Sequence, residues 1–419
     1  MKFSKSGLKI NNKKSEKDEL LSHQLFMQTS LIYQYSAGIY GKHGLLTKAQ
    51  RKIEIIIRRI LEKHDCVEME LPTLQPQELW AQSGRLEVFK ESGQMFYCDM
   101  NNGSFCLSPT AEEAVSVFVQ ERIKSIKYLP ITFYQINQKY RNELRSRGGL
   151  LRTKEFSMMD AYSFHIDEID LSKEYENIKN AYMEIFSELS LPVIPVLADN
   201  GEMGGKKSEE FMVICPFGED TILVNKERSI GINTELLENP EYKNILEEKY
   251  NLSADNLEKV SCIEVGHIFQ LGTFYSEKMN IYIQNSLNES QPFYMGCYGI
   301  GITRLLATLC ELNMDEKGLI FPETICPVST QIIYTEDNFE VANKLCDMFD
   351  LHDISYLQDD RHDVSFGRKI KDWQLLGTPY AIIIGKNHKE NQFELENRRT
   401  GEKLILSVNE LVEKFKKFS

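Results

Sequence analysis

Two strand-like segments on either side of an arginine-rich turn constrain the fold more than any other feature. Residues 129–139, LPITFYQINQK, alternate apolar and polar side chains, which is the pattern of a half-buried strand. After the turn, residues 151–164, LRTKEFSMMDAYSF, have the pattern of a returning strand. The region 131–164 therefore predicts an antiparallel hairpin with an elaborated loop, and with it an antiparallel sheet.

Helical segments accompany this hairpin. Residues 47–64 carry apolar positions at helical spacing with basic residues between them, and residues 176–189 form a second helical pattern. Residues 293–302, FYMGCYGIGI, predict a strand that ends in a glycine turn, and residues 303–312 predict the helix after it. The sequence thus predicts an α+β domain over residues 1–325, in which helices flank an antiparallel sheet.

The pattern changes near residues 322–328, FPETICP. Beyond this point strands and helices alternate: STQIIYT, a helix at 339–349, ISYLQ, a helix around Ile370–Leu376, YAIIIG, FELEN and the final helix VNELVEKFKKF. About 90 residues of this kind suit a small separate domain with a mixed or parallel sheet. We therefore predict a second, α/β domain over residues 326–419.

Composition excludes several classes of protein. The chain has 419 residues and a formal charge of -13, which argues against non-specific nucleic-acid binding but leaves a specific RNA partner open. The nine cysteines form no CxxC pair, so a zinc site is disfavoured and a reducing, cytoplasmic setting is expected. No apolar run suits a signal peptide or a membrane span, so no membrane partner is expected.

The turn itself, YRNELRSRGGLLRTKEF at residues 140–156, concentrates arginines in an acidic chain. Alternation places Arg141 and Glu143 on one face of the first strand. An arginine fork suits a phosphate, and a carboxylate two residues later can accept from an exocyclic amine or hold another arginine. Arg152 and Phe156 on the returning strand would meet the same ligand. The alternative is a solvated, salt-bridged hairpin.

Two further motifs also permit a structural explanation. In GCYGIGITRLL, residues 296–306, the glycines allow close approach to a ligand and Arg304 lies in the first turn of a helix, but close strand packing explains the glycines equally well. In LSPTAEEA, residues 107–114, Thr110 and Glu112 fit a ligand site or a plain helix cap with an acidic first turn.

Taken together, these motifs resemble the class II aminoacyl-tRNA synthetases, and among them the bacterial-type prolyl-tRNA synthetases in a short form. VEMELPTLQPQELWAQSGR resembles motif 1, around residues 67–85; the arginine hairpin resembles motif 2, around 138–164; and MGCYGIGITRLLA resembles motif 3, around 295–310. SPTAEE, EVGHIFQLGTFYSE and DDRHDVSFGRKIKD resemble markers of the proline-specific members. The resemblance runs from about residue 20 to the end of the chain.

The resemblance implies a class II catalytic domain over residues 1–325 and a C-terminal anticodon-binding domain over 326–419. It implies ATP-dependent activation of L-proline to prolyl-adenylate, with Mg²⁺, and transfer of the prolyl group to the 3′ end of tRNA(Pro) by a homodimer. Two alternatives stay open: a binding or regulatory paralogue without aminoacylation, and a sibling enzyme for threonine, glycine, histidine or serine. The proline-type markers disfavour the sibling enzyme.

By the same resemblance, each candidate residue receives a role. Arg141 and Arg304 are the catalytic arginines. The residues implied in ATP binding are Arg141, Glu143, Arg152, Thr153, Phe156, Glu264, His267 and Arg304, with Glu264 also implied as the metal ligand. The residues implied in proline binding are Thr110, Glu112, Arg141, Asp160, Tyr162, Phe164 and Phe269.

The implied tRNA contacts lie in two regions. Arg145 and Arg147 in the motif 2 loop are expected at the acceptor end of the tRNA. In the C-terminal domain the implied contacts are Asp360, Arg361, Lys369, Glu394 and Arg398. From residue 361 to 419 the chain has 12 lysines and arginines against 8 aspartates and glutamates, which suits an RNA-facing module.

The sequence departs from the family pattern in two places. The interval between GGKKSEEFMVICPFGEDTILVN and EVGHIF is too short for the editing domain that many bacterial members insert, so we expect alanine mis-activation without clearance in cis. The motif 2 loop has Asn142 and then Arg145-Ser146-Arg147-Gly148-Gly149 in place of the usual Arg-Pro-Arg-Phe-Gly, and IYGKHGLLTKAQ replaces an N-terminal Leu-Pro-Leu-Gly element. We expect a looser loop and altered tRNA selection, with activity retained.

Overall fold

A computed structural model describes residues 1–11, 20–198, 207–225, 227, 231–234, 236, 257–285, 287 and 289–418. The chain divides into two compact units. One unit comprises Met1–Ile53, Arg147–Leu151 and Leu306–Ser419, and the other comprises Glu54–Ser146 and Arg152–Leu305. The predicted boundary at residues 325/326 remains a prediction.

The helices of the described residues are α1 (Leu21–Gln28), α2 (Gly44–Lys63), α3 (Gln77–Ser83), α4 (Arg85–Ser92), α5 (Glu112–Arg122), α6 (Glu168–Glu188), α7 (Phe274–Lys278), α8 (Ile302–Leu312), α9 (Phe339–Leu351), α10 (Phe366–Leu376) and α11 (Val408–Phe415). None of them combines the length and the apolar character that crossing a membrane requires.

The strands of the described residues are β1 (Ile32–Ser36), β2 (Ile39–Lys42), β3 (Val67–Glu68), β4 (Leu74–Pro76), β5 (Phe96–Met100), β6 (Gly103–Leu107), β7 (Ile131–Tyr140), β8 (Glu155–His165), β9 (Ile194–Ala198), β10 (Lys207–Ile214), β11 (Asp220–Val224), β12 (Gly231–Asn233), β13 (Glu258–Gly272), β14 (Tyr282–Gln284), β15 (Ser290–Pro292), β16 (Tyr294–Ile300), β17 (Met314–Asp315), β18 (Gly318–Leu319), β19 (Thr330–Tyr334), β20 (Tyr356–Asp359), β21 (Tyr380–Ile384), β22 (Phe393–Asn397) and β23 (Lys403–Leu406).

A nine-stranded sheet forms the centre of the Glu54–Leu305 unit. Its order is β10-β9-β12-β11-β13-β16-β8-β7-β3, and only the β3/β7 and β9/β12 pairs are parallel. Strands β7 and β8 pair continuously from Ile131 opposite Phe164 to Tyr140 opposite Glu155. The predicted hairpin and the predicted antiparallel sheet are therefore confirmed.

The two faces of this sheet are covered by different helices. Tyr162 on β8, Cys297 on β16 and Phe269 on β13 form one row across the sheet, and this row packs in a core cluster with Val115 of α5. Tyr298, the next residue along β16, contacts Tyr175 of α6 on the other face. Because side chains alternate along a strand, one face carries the candidate site and the opposite face is packed under α6.

The C-terminal sheet is mixed, as the sequence predicted. Its order is β20-β19-β21-β22-β23, with β20, β19 and β21 parallel and β22 and β23 antiparallel. Ile332 of β19 packs with α9 and α11, whereas its neighbour Ile333 packs with Trp373 of α10. Strand β23 was not predicted, because its residues are mostly exposed and show no clear alternation in burial.

Several element boundaries differ from the sequence prediction. Strand β7 ends at Tyr140, so the placement of Arg141 and Glu143 on the first strand is wrong, and α10 begins at Phe366 rather than near Ile370. Helix α6 begins at Glu168 rather than 176, because the Asp167 side chain accepts a hydrogen bond from the Asp170 amide and caps the helix. Strand β8 begins at Glu155, so the assignment of Arg152 to the returning strand is wrong. A short turn of 3₁₀-helix, Gly149–Leu151, precedes Arg152 and delays the strand.

The twin glycines of the motif 2 loop are required by their surroundings. Gly148 and Gly149 have φ angles of +63° and +59°, which side chains with a Cβ rarely adopt. A Cβ on Gly149 would lie 2.7 Å from Nδ1 of His23, and one on Gly148 would lie 2.9 Å from a methyl carbon of Leu20. The loop backbone therefore approaches this neighbouring segment more closely than other residues would allow.

Candidate active site

Arg141 is the central cation of the candidate site. It follows the last residue of β7, its amide donates to the Lys154 carbonyl at 2.9 Å, and its Nε donates to the Pro109 carbonyl at 3.3 Å. Burial, and then the charge of Arg304, lower the pKa of Arg141. Within the described residues, the Arg141 side chain makes no ion pair with a carboxylate. The guanidinium therefore keeps its fork for an anionic ligand.

Phe156 lies beside this arginine. The guanidinium carbon of Arg141 is 5.3 Å from the centre of the Phe156 ring, within the range of a cation–π contact. Phe156 is the second residue of β8, and Lys139 on β7 is its partner in the pairing. The hairpin thus brings an arginine and an aromatic ring together, as the sequence predicted.

Arg304 and Glu264 form the opposite side of the site. Arg304 lies in the first turn of α8, and its Nη1 donates to the Glu264 carbonyl at 3.1 Å and lies 3.3 Å from Oε2 of the same residue. Gly301 is the single residue between the end of β16 and the start of α8. Arg304 is about 31% exposed, so its outer face stays accessible.

A β-bulge places Glu264 and His267 on the same side of β13. Phe211 pairs with Gly266, but the next residue, Met212, pairs with Glu264, so β13 contains one extra residue here. The extra residue reverses the alternation of side chains. Consequently Nδ1 of His267 lies 3.2 Å from Oε1 of Glu264, although the two residues are three apart in a strand.

Glu264 is held as a carboxylate. Burial raises its pKa, but the hydrogen bond and charge of His267 and the charges of Arg304 and Arg141 outweigh burial and lower the pKa to about 2. The sequence did not single out Glu210, whose carboxylate lies 3.8 Å from Nδ1 of His267. Ligand atoms of Glu210, Glu264 and His267 lie within 4.8 Å of one another, which makes them a candidate cation site.

A buried chain of hydrogen bonds links Thr110 to Asp160. The Thr110 hydroxyl donates to Oε1 of Glu112 at 2.8 Å, and the Tyr162 hydroxyl accepts from the Ala111 amide at 3.0 Å and donates to Asp160 at 2.7 Å. Lys139 pairs with Asp160 at 2.9 Å. The helix-cap explanation of Thr110 is wrong, because the N-cap of α5 is Ala111 and no side chain caps the helix.

The apolar part of the predicted pocket belongs to the core cluster that contains the row described above. Phe164 is fully buried and contacts Phe293 edge-on at 5.1 Å, whereas Phe269 stacks on His267 with ring centres 3.8 Å apart. Glu112 is also fully buried and pairs with Arg85 at 3.2 Å. Arg85 and the neighbouring Glu113 were missed at the sequence level.

Glu143 and Arg152 pair with each other. Their side chains are 3.4 Å apart, and Arg152 also pairs with Glu219 at 3.0 Å. Thr153 is buried, and its hydroxyl donates to the Glu155 carbonyl at 2.8 Å. The sequence suggested that the Glu143 carboxylate either accepts from an exocyclic amine of a ligand or holds another arginine. The structure shows it paired with an arginine, Arg152.

The motif 2 loop also departs from the family pattern at Asn142. Its amide nitrogen in the backbone donates to the Gln94 carbonyl at 2.7 Å, and its side-chain nitrogen donates to the Gly93 carbonyl at 3.0 Å. Arg145 and Arg147 are exposed. The loop thus fixes its first residues to the Gly93 segment and presents arginines to solvent.

The residues assigned to the anticodon already have partners within the protein. Arg361 pairs with Asp359 at 2.6 Å and with Asp372 at 2.9 Å, and Arg398 pairs with Asp315 at 2.6 Å. The remaining three are also engaged: Lys369 donates to the Asp359 carbonyl, Asp360 accepts from Ser4, and Glu394 pairs with Lys403. Arg398 and Lys369 are only 5% and 6% exposed, so the structure does not place them at the surface.

Comparisons with known proteins show the family of the chain. Residues 94–313 match the family model described as the tRNA synthetase class II core domain (G, H, P, S and T), and residues 324–418 match the anticodon binding domain. The proline–tRNA ligase of Rickettsia bellii is 36% identical over 421 residues, covering 98% of this chain and 97% of the relative. The enzyme of Rickettsia canadensis is 35% identical over 414 residues, covering 96% and 94%.

The chain belongs to the proline–tRNA ligase family. Its fold is therefore a class II synthetase core followed by an anticodon-binding domain, and it is an aminoacyl-tRNA ligase. A solved prolyl-tRNA synthetase from Cryptosporidium parvum, complexed with halofuginone and AMPPNP, has the same fold, with a TM-score of 0.74 and 17% identity over 95% of this chain and 74% of that one. The predicted fold class and family are confirmed.

Proposed function

We propose that this chain activates L-proline with ATP and transfers the prolyl group to the 3′ end of tRNA(Pro). The observation that carries the proposal is the Arg141 guanidinium, which is held in place by a carbonyl and pairs with no carboxylate of the described residues. Both substrates of the first step carry anions, namely the proline carboxylate and the ATP phosphates. A fixed, partly buried cation beside them supplies positioning and charge stabilisation.

In the first step, a proline carboxylate oxygen attacks the α-phosphorus of ATP and pyrophosphate leaves. Arg141 contacts the carboxylate and the α-phosphate and neutralises the charge that accumulates between them. Phe156 stacks on one face of adenine, and Arg304 covers the other face and reaches the γ-phosphate. In the second step, a ribose hydroxyl at the 3′ end of the tRNA attacks the prolyl carbonyl and AMP leaves.

The remaining ATP contacts follow from the same arrangement. We assign Glu143 to the adenine amine and both Arg152 and Thr153 to the phosphate tail; Glu143 and Arg152 also pair with each other. Glu264 and Glu210 offer carboxylate oxygens, which Mg²⁺ prefers as ligands. His267 holds Glu264 by a hydrogen bond and is a poorer ligand for this cation, so its role is to orient Glu264.

Proline is a secondary ammonium zwitterion with a small apolar ring. We assign the proline ammonium to Thr110 and Glu112 and the proline carboxylate to Arg141. Arg141 lies near Thr110, because its Nε donates a hydrogen bond to the carbonyl of Pro109. We assign the side of the pocket that contacts the proline ring to Asp160, Tyr162, Phe164 and Phe269. Asp160 and Tyr162 are hydrogen-bonded to each other, and the two phenylalanines supply the apolar surface. A homodimer in the cytoplasm is part of the same proposal and rests on family membership.

Proline-dependent exchange of labelled pyrophosphate into ATP tests the proposal. Exchange should be strongest with proline among proline, threonine, glycine, histidine and serine. No exchange with proline, or faster exchange with one of the other four, would overturn it. A regulatory paralogue would give no exchange with any of them.

We also propose that alanine is mis-activated and not cleared by this chain. An apolar pocket discriminates by only about 10–200-fold per methylene group. Alanine should therefore support slow exchange, and Ala-tRNA(Pro) should persist in the presence of the purified protein. Rapid hydrolysis of Ala-tRNA(Pro) by the protein alone would contradict this part of the proposal.

A further inference from the structure

One buried arginine connects two adjacent glutamates behind the candidate ammonium site. Nη1 of Arg85 lies 3.2 Å from Oε2 of Glu112 and 3.2 Å from Oε1 of Glu113. Arg85 is 3% exposed, and both glutamates are fully buried. Burial of an unpaired charge is strongly unfavourable, so each of these three charged side chains depends on close contact with its partners.

The position of Arg85 is fixed by aromatic rings as well as by the glutamates. Its guanidinium carbon lies 5.2 Å from the Trp80 ring centre, 5.1 Å from Phe89 and 5.6 Å from Tyr275. These distances fall within the cation–π range. The rings come from α3, α4 and α7, so three helices hold one guanidinium against the start of α5.

Glu113 and Ser83 hold Arg85 in place. Oε1 of Glu113 accepts from the Ser83 hydroxyl at 2.7 Å and from Arg85, and Oε2 lies 3.4 Å from the same guanidinium nitrogen. The described residues give Glu113 no contact with Thr110 or Arg141. The route from Glu113 to the candidate ammonium site therefore runs through Arg85.

The two oxygens of Glu112 have different partners. Oε2 faces Arg85, and Oε1 accepts from the Thr110 hydroxyl at 2.8 Å and from the Cys297 thiol at 3.1 Å. The Thr110 hydroxyl donates its only proton to Glu112 at 2.8 Å, and the Tyr162 hydroxyl, 3.5 Å away, donates its own proton to Asp160, so the Thr110 oxygen is left as an acceptor. An acceptor oxygen at this position can receive a hydrogen bond from an ammonium N–H of the substrate. It cannot form a hydrogen bond with a substrate atom that is itself only an acceptor.

We propose that Arg85 and Glu113 are positioning residues for amino-acid recognition: they hold Glu112 so that the Thr110 oxygen accepts from the secondary ammonium of the substrate. This inference rests on the proposed function and names the part of that site which selects a cation. Glu113 orients Arg85, Arg85 takes one oxygen of Glu112, and Glu112 takes the proton of Thr110. A buried network of this kind acts as a unit, so a change at its far end reaches Thr110.

The test compares Glu113→Gln with the parent chain in pyrophosphate exchange. The amide keeps the size of the side chain and one acceptor oxygen, but it removes the negative charge and one of the two acceptors that face Arg85. The expected result is a KM for proline raised at least about tenfold, with the KM for ATP within about threefold of the parent. Glu121→Gln is the matched control, because it makes the same change at an exposed position of the same helix.

An analogue separates ammonium recognition from a general loss of structure. Tetrahydrofuran-2-carboxylate has the proline ring and carboxylate, but an ether oxygen replaces the ammonium. As a competitive inhibitor of exchange it should bind the parent and Glu113→Gln equally, while proline binds the variant more weakly. Equal weakening of proline and the analogue would overturn the proposal, and so would an unchanged KM for proline.

Two further measurements keep the result interpretable. Parent exchange with proline is measured first, since its absence would refute the proposed function rather than the positioning role. If Glu113→Gln does not fold, Arg85→Lys replaces it, because it keeps the charge and loses the fork that spans both glutamates. The same difference between proline and the analogue is expected for Arg85→Lys, and its absence would overturn the inference.

Discussion

Arginines that follow strands of the two sheets differ in whether a carboxylate pairs with them. In the nine-stranded sheet, Arg141 is held by a carbonyl and, within the described residues, meets no carboxylate. In the C-terminal module, Arg361 is bound by Asp359 and Asp372, and Arg398 by Asp315. The sequence assigned all three to ligands. Only Arg141 is left with its charge available for one.

The difference follows from the residues nearby. Asp359 is two residues before Arg361, and its carboxylate accepts two parallel bonds from the guanidinium, at 2.8 and 2.6 Å. Burial lowers the pKa of Arg361, but the hydrogen bonds and charges of Asp359 and Asp372 outweigh burial and raise it. An arginine with such partners stabilises the fold, whereas one without them is ready to bind an anion.

The largest expected effect is that of Arg141→Ala on catalysis. Loss of one fixed donor to a developing charge costs about 2.7–4 kcal/mol of transition-state stabilisation, or about 10²–10³-fold in rate. Pyrophosphate exchange should fall by that factor, while thermal unfolding stays close to that of the parent because Arg141 makes one side-chain hydrogen bond to the protein. Arg51→Ala, an exposed arginine of α2, is the control and should leave exchange unchanged.

Arg361→Ala should instead act on stability. It leaves the carboxylate of Asp359, which is 0% exposed, without the guanidinium that binds it through two bonds, whereas Asp372 keeps Arg368 at 2.7 Å. Removing one partner of a buried pair typically costs about 3–5 kcal/mol. Urea unfolding measures this loss, and exchange at a temperature where the variant is folded should be retained. An unchanged unfolding midpoint with weaker tRNA binding would show that Arg361 is a tRNA contact after all.

Arg398→Ala should have a smaller effect, because its partner Asp315 is about 39% exposed and water can replace the lost contact. A loss of about 1 kcal/mol in the free energy of unfolding is expected. The hydrogen bond and charge of Arg398, together with hydrogen bonds from the Lys317 and Gly318 amides, outweigh burial and lower the pKa of Asp315 from its ordinary 3.8 to about 2.

The pH dependence of that loss has a defined sign. A carboxyl whose folded pKa is depressed contributes stability above its ordinary pKa and loses it as the pH falls toward the folded value. The difference in the free energy of unfolding between the parent chain and Arg398→Ala should therefore have its full size at pH 6 and should shrink between about pH 3.8 and 2. A difference that grows on acidification would contradict the assignment.

Arg145→Ala should have the smallest effect, confined to tRNA. Arg145 is exposed and, within the described residues, its side chain makes no ion pair. Loss of one phosphate contact should raise the KM for tRNA by a few-fold. It should also reduce by about one the slope of the logarithm of tRNA affinity against the logarithm of the salt concentration. Exchange, which needs no tRNA, should not change. Lys124→Ala, at an exposed position of another segment, is the comparison.

Much of the fold could be predicted from the sequence because its signals are local. Alternation between residues 131 and 164 predicted the hairpin, and helical spacing predicted α2 and α8. The chain order of strands and helices after residue 326 predicted a mixed or parallel C-terminal sheet, and the sheet is mixed. These patterns are set by which face of each element is buried, which the sequence records directly.

The parts that were missed depend on contacts distant in the chain. Arg85 meets Glu112 and Glu113 across 27 and 28 residues, and nothing local distinguishes it from an exposed arginine after a glycine. The bulge that turns Glu264 toward His267 depends on the pairing of β10 with β13. The neutralisation of Arg398 by Asp315, 83 residues away, likewise leaves no local pattern.

The contrast between Arg141 and Arg361 is measured by preparing Arg141→Ala and Arg361→Ala side by side and determining the exchange rate and the urea unfolding of each. Arg141→Ala should lose exchange by about 10²–10³-fold at unchanged stability, and Arg361→Ala should lose about 3–5 kcal/mol of stability at retained exchange. Near-parent exchange in Arg141→Ala, or parent-like stability in Arg361→Ala, would contradict the contrast.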